Sequence, residues 1–275
     1  MVTETLERTC QSDRPGADRP VSLSEPDGIE RVSVWGLPLA RLTCGQTLDA
    51  VDRLIARGQP SYFITANLHY AMLSDRNPRL AEVNRRAALV VADGMPLVWY
   101  SRLLRRPLPE RVAGSDVIYL LSERAAERGH RLFLLGGAEG VAEQAAAELC
   151  RLYPGLQIAG VEAPEFDAMS PEDHAALIGR VRRARPDLLF AALGQPKGEL
   201  WLAENCLALN VPACVQLGAS LDFVAGRIRR APRWTHRIGL EWVWRMCREP
   251  RRLVPRYLAD AVFLVKAMLR DAALR

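Results

Sequence analysis

RLFLLGGAEGVAEQAAAELCRLY, residues 131–153, holds the pattern that decides the fold. Arg131–Leu135 is a nearly continuous apolar run of strand length, as expected of a parallel strand covered on both faces. Gly136-Gly137-Ala138-Glu139-Gly140 makes a tight turn. Glu139–Tyr153 then has the Ala, Leu and Glu content of a good helix. Strand, glycine turn and helix follow one another without a linker, and the same order recurs on both sides. Further strand candidates are Val32–Trp35, Tyr62–Ala66, Leu89–Ala92, Gln157–Val161, Leu188–Leu193 and Cys214–Leu217. Helical stretches lie between them. Thr47–Arg57 places Leu48, Val51, Leu54 and Ile55 on one face, and Ser115–Arg128 is again Ala/Leu/Glu/Arg-rich. Ser170-Pro171-Glu172-Asp173 opens Pro171–Ala184 with a capping serine and a proline at the first helical position. Such alternation implies right-handed crossovers and an α/β, Rossmann-like doubly wound sheet that is mostly parallel.

The pattern has two ends. Residues 1–29 mix Thr, Ser, Asp, Glu, Arg and Pro without apolar periodicity, which is the composition of a disordered lead. Alternation stops near Gly218, and Arg-rich helical pieces follow, Thr235–Arg248 and Arg251–Leu269, split by Glu249-Pro250. The expected division is therefore a lead over 1–29, an α/β domain over 30–226 and a helical appendage over 227–275. The appendage holds thirteen Arg and Lys against four Asp and Glu, a net charge of +9, while everything before it sums to −4. It also carries Trp234, Trp242 and Trp244. Cations interleaved with indoles suit the headgroup layer of an anionic bilayer. They equally suit a nucleic acid, whose phosphates attract arginine and whose bases stack on tryptophan.

Bulk properties narrow the class. The 275 residues are 49% hydrophobic and 25% charged, ordinary values for a chain that buries a full core. Met1–Pro26 has no apolar segment of signal-peptide type. No run approaches the roughly 18 apolar residues of a membrane span; the most apolar late stretch, Ala261–Leu269, is interrupted by Lys266. Six cysteines are scattered without a Cys-x-x-Cys pair and without clustered histidines, so reduced thiols are expected rather than disulfides or a metal site. A soluble or peripheral protein on the cytoplasmic side is expected.

Ligands of doubly wound sheets bind outside the carboxyl ends of the strands, so polar residues there are the first candidates for chemistry. Thr65-Ala66-Asn67 offers a hydroxyl and an amide, although Asn67 would equally serve as a helix cap. Asp93-Gly94 follows an apolar strand. A carboxylate there is partly desolvated, which raises its pKa toward the range of a general base, and Gly94 lets backbone approach a ligand. Gly136 and Gly137 open a helix whose N-terminus could cradle a diphosphate, but the spacing is not that of dinucleotide enzymes. Gly194-Gln195-Pro196-Lys197-Gly198-Glu199 places Lys197 where phosphate charge could be met. Gly218-Ala219-Ser220-Leu221-Asp222-Phe223 follows the last strand. Arg230-Ala231-Pro232, Gly239-Leu240-Glu241-Trp242, Arg245, Glu249-Pro250, Arg252 and Arg256-Tyr257 come after it.

Taken in order, these motifs resemble the WecG/TagA/CpsF family of glycosyltransferases (glycosyltransferase family 26), over about Arg31 to Leu269. The matching positions are Thr65 and Asn67, Asp93-Gly94, Arg111 ahead of Gly114-Ser115-Asp116, Gly194/Pro196/Glu199, Gly218/Asp222-Phe223, and each element of the appendage named above. The resemblance implies an inverting, metal-independent transfer of an N-acetylmannosaminyl or related hexosyl group from a UDP-sugar. The implied acceptor is a polyprenyl-diphosphate-linked saccharide at the inner face of the cell membrane, and the product would enter cell-envelope or exopolysaccharide assembly. By the same resemblance Asp93 is the general base and Thr65 and Asn67 position donor or acceptor. Arg111, Arg245, Arg252 and Arg256 meet the charge of the departing UDP. Gly136, Gly137, Gly194, Lys197, Glu199, Gly218 and Asp222 complete the expected substrate-binding set, with no metal and no cofactor.

The residues point the same way. Asp-x-Asp, the usual cation holder of metal-dependent sugar transferases, does not occur; Glu165-Phe166-Asp167 comes nearest and reads as loop. Leaving-group charge would then fall to arginines and helix N-termini. One departure stands out: where many members of the family carry Gln before the Glu of the Gly-x-Pro turn, this chain has Gly198, which leaves the donated sugar open. Oligomeric state is open as well, and a homo-oligomer is compatible with the sequence. A Rossmann-like module binding nucleotide or nucleic acid through the basic appendage is the alternative. It accounts for the charge but not for Asp93 or the ordered strand-end motifs, so no nucleic-acid partner is expected.

Overall fold

A computed structural model describes residues 28–228, 241–248 and 250–273. The expected lead lies outside the described residues except at its last two positions, as do the Arg-Ala-Pro and Gly-Leu elements at 230–232 and 239–240. Six strands form one parallel sheet: β3 (Tyr62–Ala66), β4 (Leu89–Ala92), β5 (Arg131–Gly136), β6 (Gln157–Glu162), β7 (Leu188–Ala192) and β8 (Ala213–Gln216). Their order across the sheet is β4-β3-β8-β7-β5-β6. The seventh candidate, Val32–Trp35, does not join it. Its residues form β1 (Arg31–Val34), which turns at Trp35-Gly36 and pairs antiparallel with β2 (Leu37–Ala40). Both turn residues have positive φ, 48° and 81°, the backbone of a two-residue hairpin loop.

Helices cover both faces of the sheet: α1 (Cys44–Arg57), α2 (Leu68–Arg76), α3 (Pro78–Arg86), α4 (Met95–Leu103), α5 (Gly114–Arg128), α6 (Val141–Leu152), α7 (Pro171–Ala184), α8 (Lys197–Leu209) and the short α9 (Ser220–Val224). Their starts obey local chemistry. Ser170 Oγ accepts from the Asp173 amide at 3.1 Å to cap α7, and Thr43 with Gln46 forms a full capping box on α1. Alternate strand residues feed two cores, as the pleat requires. Tyr62, Ile64, Val90, Leu135 and Leu189 pack on one side with α2, α3 and α8. Phe63, Leu89, Val91, Leu134 and Phe190 pack on the other with α1, α5 and α6. Each fully buried Leu, Ile or Phe contributes about 2 kcal/mol.

The appendage adds α10 (Glu241–Arg248) and the long α11 (Pro250–Ala273). α11 docks on the domain through buried Leu253, Phe263 and Ala267, with Phe263 edge-on to Trp35 at 5.9 Å between ring centroids. Polar contacts fix its direction. Buried Asp260 meets His69 Nδ1 at 2.8 Å, Arg270 meets Asp75 at 2.9 Å, and Tyr100 Oη donates to Asp271 at 2.5 Å. Residue numbers rise together along both partners, so α11 runs parallel to α2 and its first turns overhang the end at which α2 begins. The face turned away from the domain is apolar: Val254, Leu258, Val262, Val265 and Leu269 are all exposed, Leu258 and Leu269 by 64% and 66%. Among the described residues no helix is long and apolar enough to cross a membrane.

Candidate active site

α2 begins at the carboxyl end of β3, and there the strand-end residues converge. The Asp93 amide donates to Ala66 O at 2.7 Å, and the Val112 amide to Ala92 O at 2.8 Å. The first bond carries β3–β4 pairing one residue past the strands. The second lays the segment bearing Arg111 and Gly114 against the mouth of β4. Gly114 is the seam: a Cβ built on it would lie 3.3 Å from Thr65 Oγ1, 3.5 Å from Leu217 Cδ2 and 3.6 Å from Asp93 Oδ2. The Thr65 hydroxyl and the Asp93 carboxylate therefore flank one glycine, and a larger residue would crowd both. Thr65 is buried and donates from Oγ1 to Gln216 O at 3.2 Å, while Asp93 and Arg111 are half-buried. Gly94 is a second close approach, its Cβ position 3.3 Å from Asn67 Cα.

Asn67 does the capping work that its residue type suggested and more. Its Oδ1 accepts from the Tyr70 amide at 3.0 Å, capping α2, and its Nδ2 donates to Gln195 Oε1 at 3.2 Å. Gln195 was not among the candidates read from sequence, yet it is the hub between β3 and the start of α8. Its Nε2 donates to Glu199 Oε1 at 3.0 Å and lies 3.4 Å from Thr65 O. The only sequence signal for it was its place inside the Gly-x-Pro turn.

The remaining candidates divide. Gly194 (φ 75°) and Gly218 (φ 56°) end β7 and β8 in left-handed turns, with open space where a side chain would stand. Lys197 opens α8, but its Nζ is 2.5 Å from Asp167 Oδ1 and lies over the Phe166 ring, so its charge already has a partner. Gly136 ends β5 and Gly137 begins the tight turn after it; the Gly137 amide donates to Ala192 O at 3.0 Å and is not free for a phosphate. Asp222 stands in the first turn of α9. Glu199, expected to touch substrate, is only 1% exposed; burial pushes its carboxyl from 4.5 up to about 7 against the lowering effect of its hydrogen bonds, including that from Gln195. The site departs from the family pattern at Gly198, where the space is taken: a Cβ there would lie 2.5 Å from the Gln216 carboxamide carbon. Among the described residues no three His, Cys, Asp or Glu side chains gather as a metal site would need.

Arg245 and Arg252 fall on α10 and α11, but their side chains lie outside what is described. Arg256 is half-buried one turn before Asp260, on the same face of α11. Four residues of helix rise about 6 Å. Asp260 is tied to His69, two residues past Asn67, which sets this part of α11 beside the start of α2.

A carboxylate and a hydroxyl thus stand at the mouths of the adjacent parallel strands β4 and β3. The model of the glycosyl transferase WecG/TagA/CpsF family matches residues 32–275, and the chain belongs to that family; it is a glycosyltransferase. Two relatives are both named N-acetylglucosaminyldiphosphoundecaprenol N-acetyl-beta-D-mannosaminyltransferase. The one from Bacillus spizizenii (strain ATCC 23059 / NRRL B-14472 / W23) is 29% identical over 203 residues, which cover 72% of this chain and 77% of the relative. The one from Bacillus subtilis (strain 168) is 29% identical over 189 residues, covering 69% and 71%.

Proposed function

We propose that this glycosyltransferase moves an N-acetylmannosaminyl or related hexosyl group from a UDP-sugar to a polyprenyl-diphosphate-linked saccharide in cell-envelope or exopolysaccharide assembly. The placing of Asp93 beside Thr65 at the Gly114 seam is the observation that carries this reading, and the names of the two relatives support the acceptor class. Asp93 takes the proton from the acceptor hydroxyl. The oxygen so freed attacks the anomeric carbon from the face opposite the leaving group, the bond from that carbon to the UDP oxygen breaks, and the configuration inverts. UDP departs with the electron pair, its charge met by Arg111 and by Arg256 with Arg245 and Arg252 rather than by a divalent metal. Thr65 and Asn67 hold donor or acceptor in line.

In this reading residues 30–226 are the catalytic domain and 227–275 a membrane-proximal appendage. The outward apolar face of α11, bordered by Arg251, Lys266 and Arg270, lies on the anionic inner surface of the membrane where the lipid acceptor resides. The test is a panel of UDP-sugars assayed against a synthetic polyprenyl-diphosphate-linked saccharide, with and without chelator, followed by linkage analysis. Asp93→Asn should abolish transfer with an unchanged unfolding midpoint. Near-normal turnover by that variant would remove Asp93 from the role of base, and a rate that collapses on chelation would overturn metal independence.

A further inference from the structure

Glu199 combines features that a substrate-contacting residue would not show. It lies in the first turn of α8 at 1% exposure, and its Oε2 is buried without a hydrogen-bond partner. Its Oε1 has one side-chain donor, Gln195 Nε2. A carboxamide can place its oxygen and nitrogen either way round, and which way it settles depends on its partners. Ionised, Glu199 offers acceptors and no donor, so it selects the nitrogen of Gln195. The Gln195 oxygen is thereby turned to Asn67 Nδ2. Asn67 is then fixed at both ends, because its own oxygen is held by the Tyr70 amide. The same Gln195 nitrogen lies at the Thr65 carbonyl, one residue before Asn67's strand ends. A chain of single hydrogen bonds thus runs from a buried carboxylate in α8 to the two polar residues at the mouth of β3.

We propose that Glu199 is a positioning residue, orienting Gln195 and through it the Asn67 amide and the end of β3 that carries Thr65. The proposal rests on the reading of Asn67 and Thr65 as site residues. It moves Glu199 from the substrate-contacting set to the layer beneath it and adds Gln195 as the link.

The test is a double-mutant cycle on the full chain, reading initial rates of sugar transfer and the unfolding midpoint. Glu199→Leu keeps the volume and removes the acceptor; kcat should fall about tenfold, as for a hydrogen bond to a charged group, and the same change should cost nothing more in an Asn67→Ala background. Glu199→Gln, which can still present an oxygen to Gln195, should recover most of the loss. Gln195→Met breaks the chain at its half-exposed middle link without touching the buried carboxyl, and should reproduce both the fall and its absence beside Asn67→Ala. Losses that add between Glu199→Leu and Asn67→Ala overturn the proposal, as does wild-type turnover by Gln195→Met. Wild-type turnover by Asn67→Ala alone overturns it together with the reading of the site, whereas a damaged Asn67→Ala with additive losses sinks the relay only.

Discussion

Replacing Glu199 with Gln should change how the stability of this protein depends on pH, by an amount that follows from the burial of one carboxyl. Burial raises that carboxyl from 4.5 to about 7, so the folded chain holds its proton more tightly than the unfolded chain does. Stability therefore falls as pH rises from about 4.5 and levels off above about 7, because over that window the unfolded state sheds the proton first. At about 1.4 kcal/mol per pH unit the whole fall is about 3 kcal/mol. Gln carries no proton to lose, and every other titrating group is common to the two proteins. The difference in unfolding free energy between Glu199→Gln and wild type should thus be constant below pH 4.5 and grow by about 3 kcal/mol in favour of the variant by pH 8. Urea titrations of both proteins at pH 4.5, 6, 7 and 8, compared at fixed ionic strength, measure it. A difference that stays flat across that series would refute the reasoning, since it would mean that the carboxyl titrates alike in the folded and unfolded chains.

Three further outcomes are expected. Gly198→Ala drives a methyl into the Gln216 carboxamide and should cost about 2 kcal/mol in denaturant unfolding; combined with Gln216→Ala the cost should be less than the sum of the two single changes. Phe263→Ala removes the apolar anchor of α11 against Trp35 and should lower stability by about 3 kcal/mol or more, with transfer activity falling too if the helix supplies cations to the site; calorimetry and rate assays on the same preparation read both. Leu258→Glu with Val265→Glu places two carboxylates on the outward face of α11. Flotation with vesicles containing anionic lipid should then drop to background while the unfolding midpoint holds, and unchanged flotation would detach the membrane reading from this face.

The sheet was legible because parallel strands buried on both faces are nearly continuous apolar runs, and Leu89–Ala92, Leu188–Ala192 and, apart from Thr65, Tyr62–Ala66 are such runs. The first strand misled because it is short: Val32-Ser33-Val34 alternates, with Ser33 exposed, and the positive φ of Trp35 and Gly36 turns it back into a hairpin. At the site, Thr65, Asn67 and Asp93 could be named because polar residues at or just past the end of an apolar strand stand where such sheets bind ligands. Glu199 could be located but not given its depth, since a glutamate in the first turn of a helix is ordinarily exposed. Gln195 carried no signal of its own. Its importance comes from joining Glu199, one helical turn away, to Thr65 and Asn67, which are distant in the chain and reach it only when β3 and β7 lie either side of β8.

The two opposite faces of α11 make it a spacer. Its inner side is fixed to the domain by Phe263, Ala267 and Asp260, and its outer side is apolar along the same turns. If that outer side rests on lipid, the body of the enzyme stands off the hydrocarbon by one helix diameter, about 10 Å. A gap of that size admits a diphosphate and its first sugar but leaves the polyprenyl chain in the bilayer. Chain length of the lipid should then matter little to turnover, and the enzyme would gauge its acceptor by the height of the sugar above the membrane.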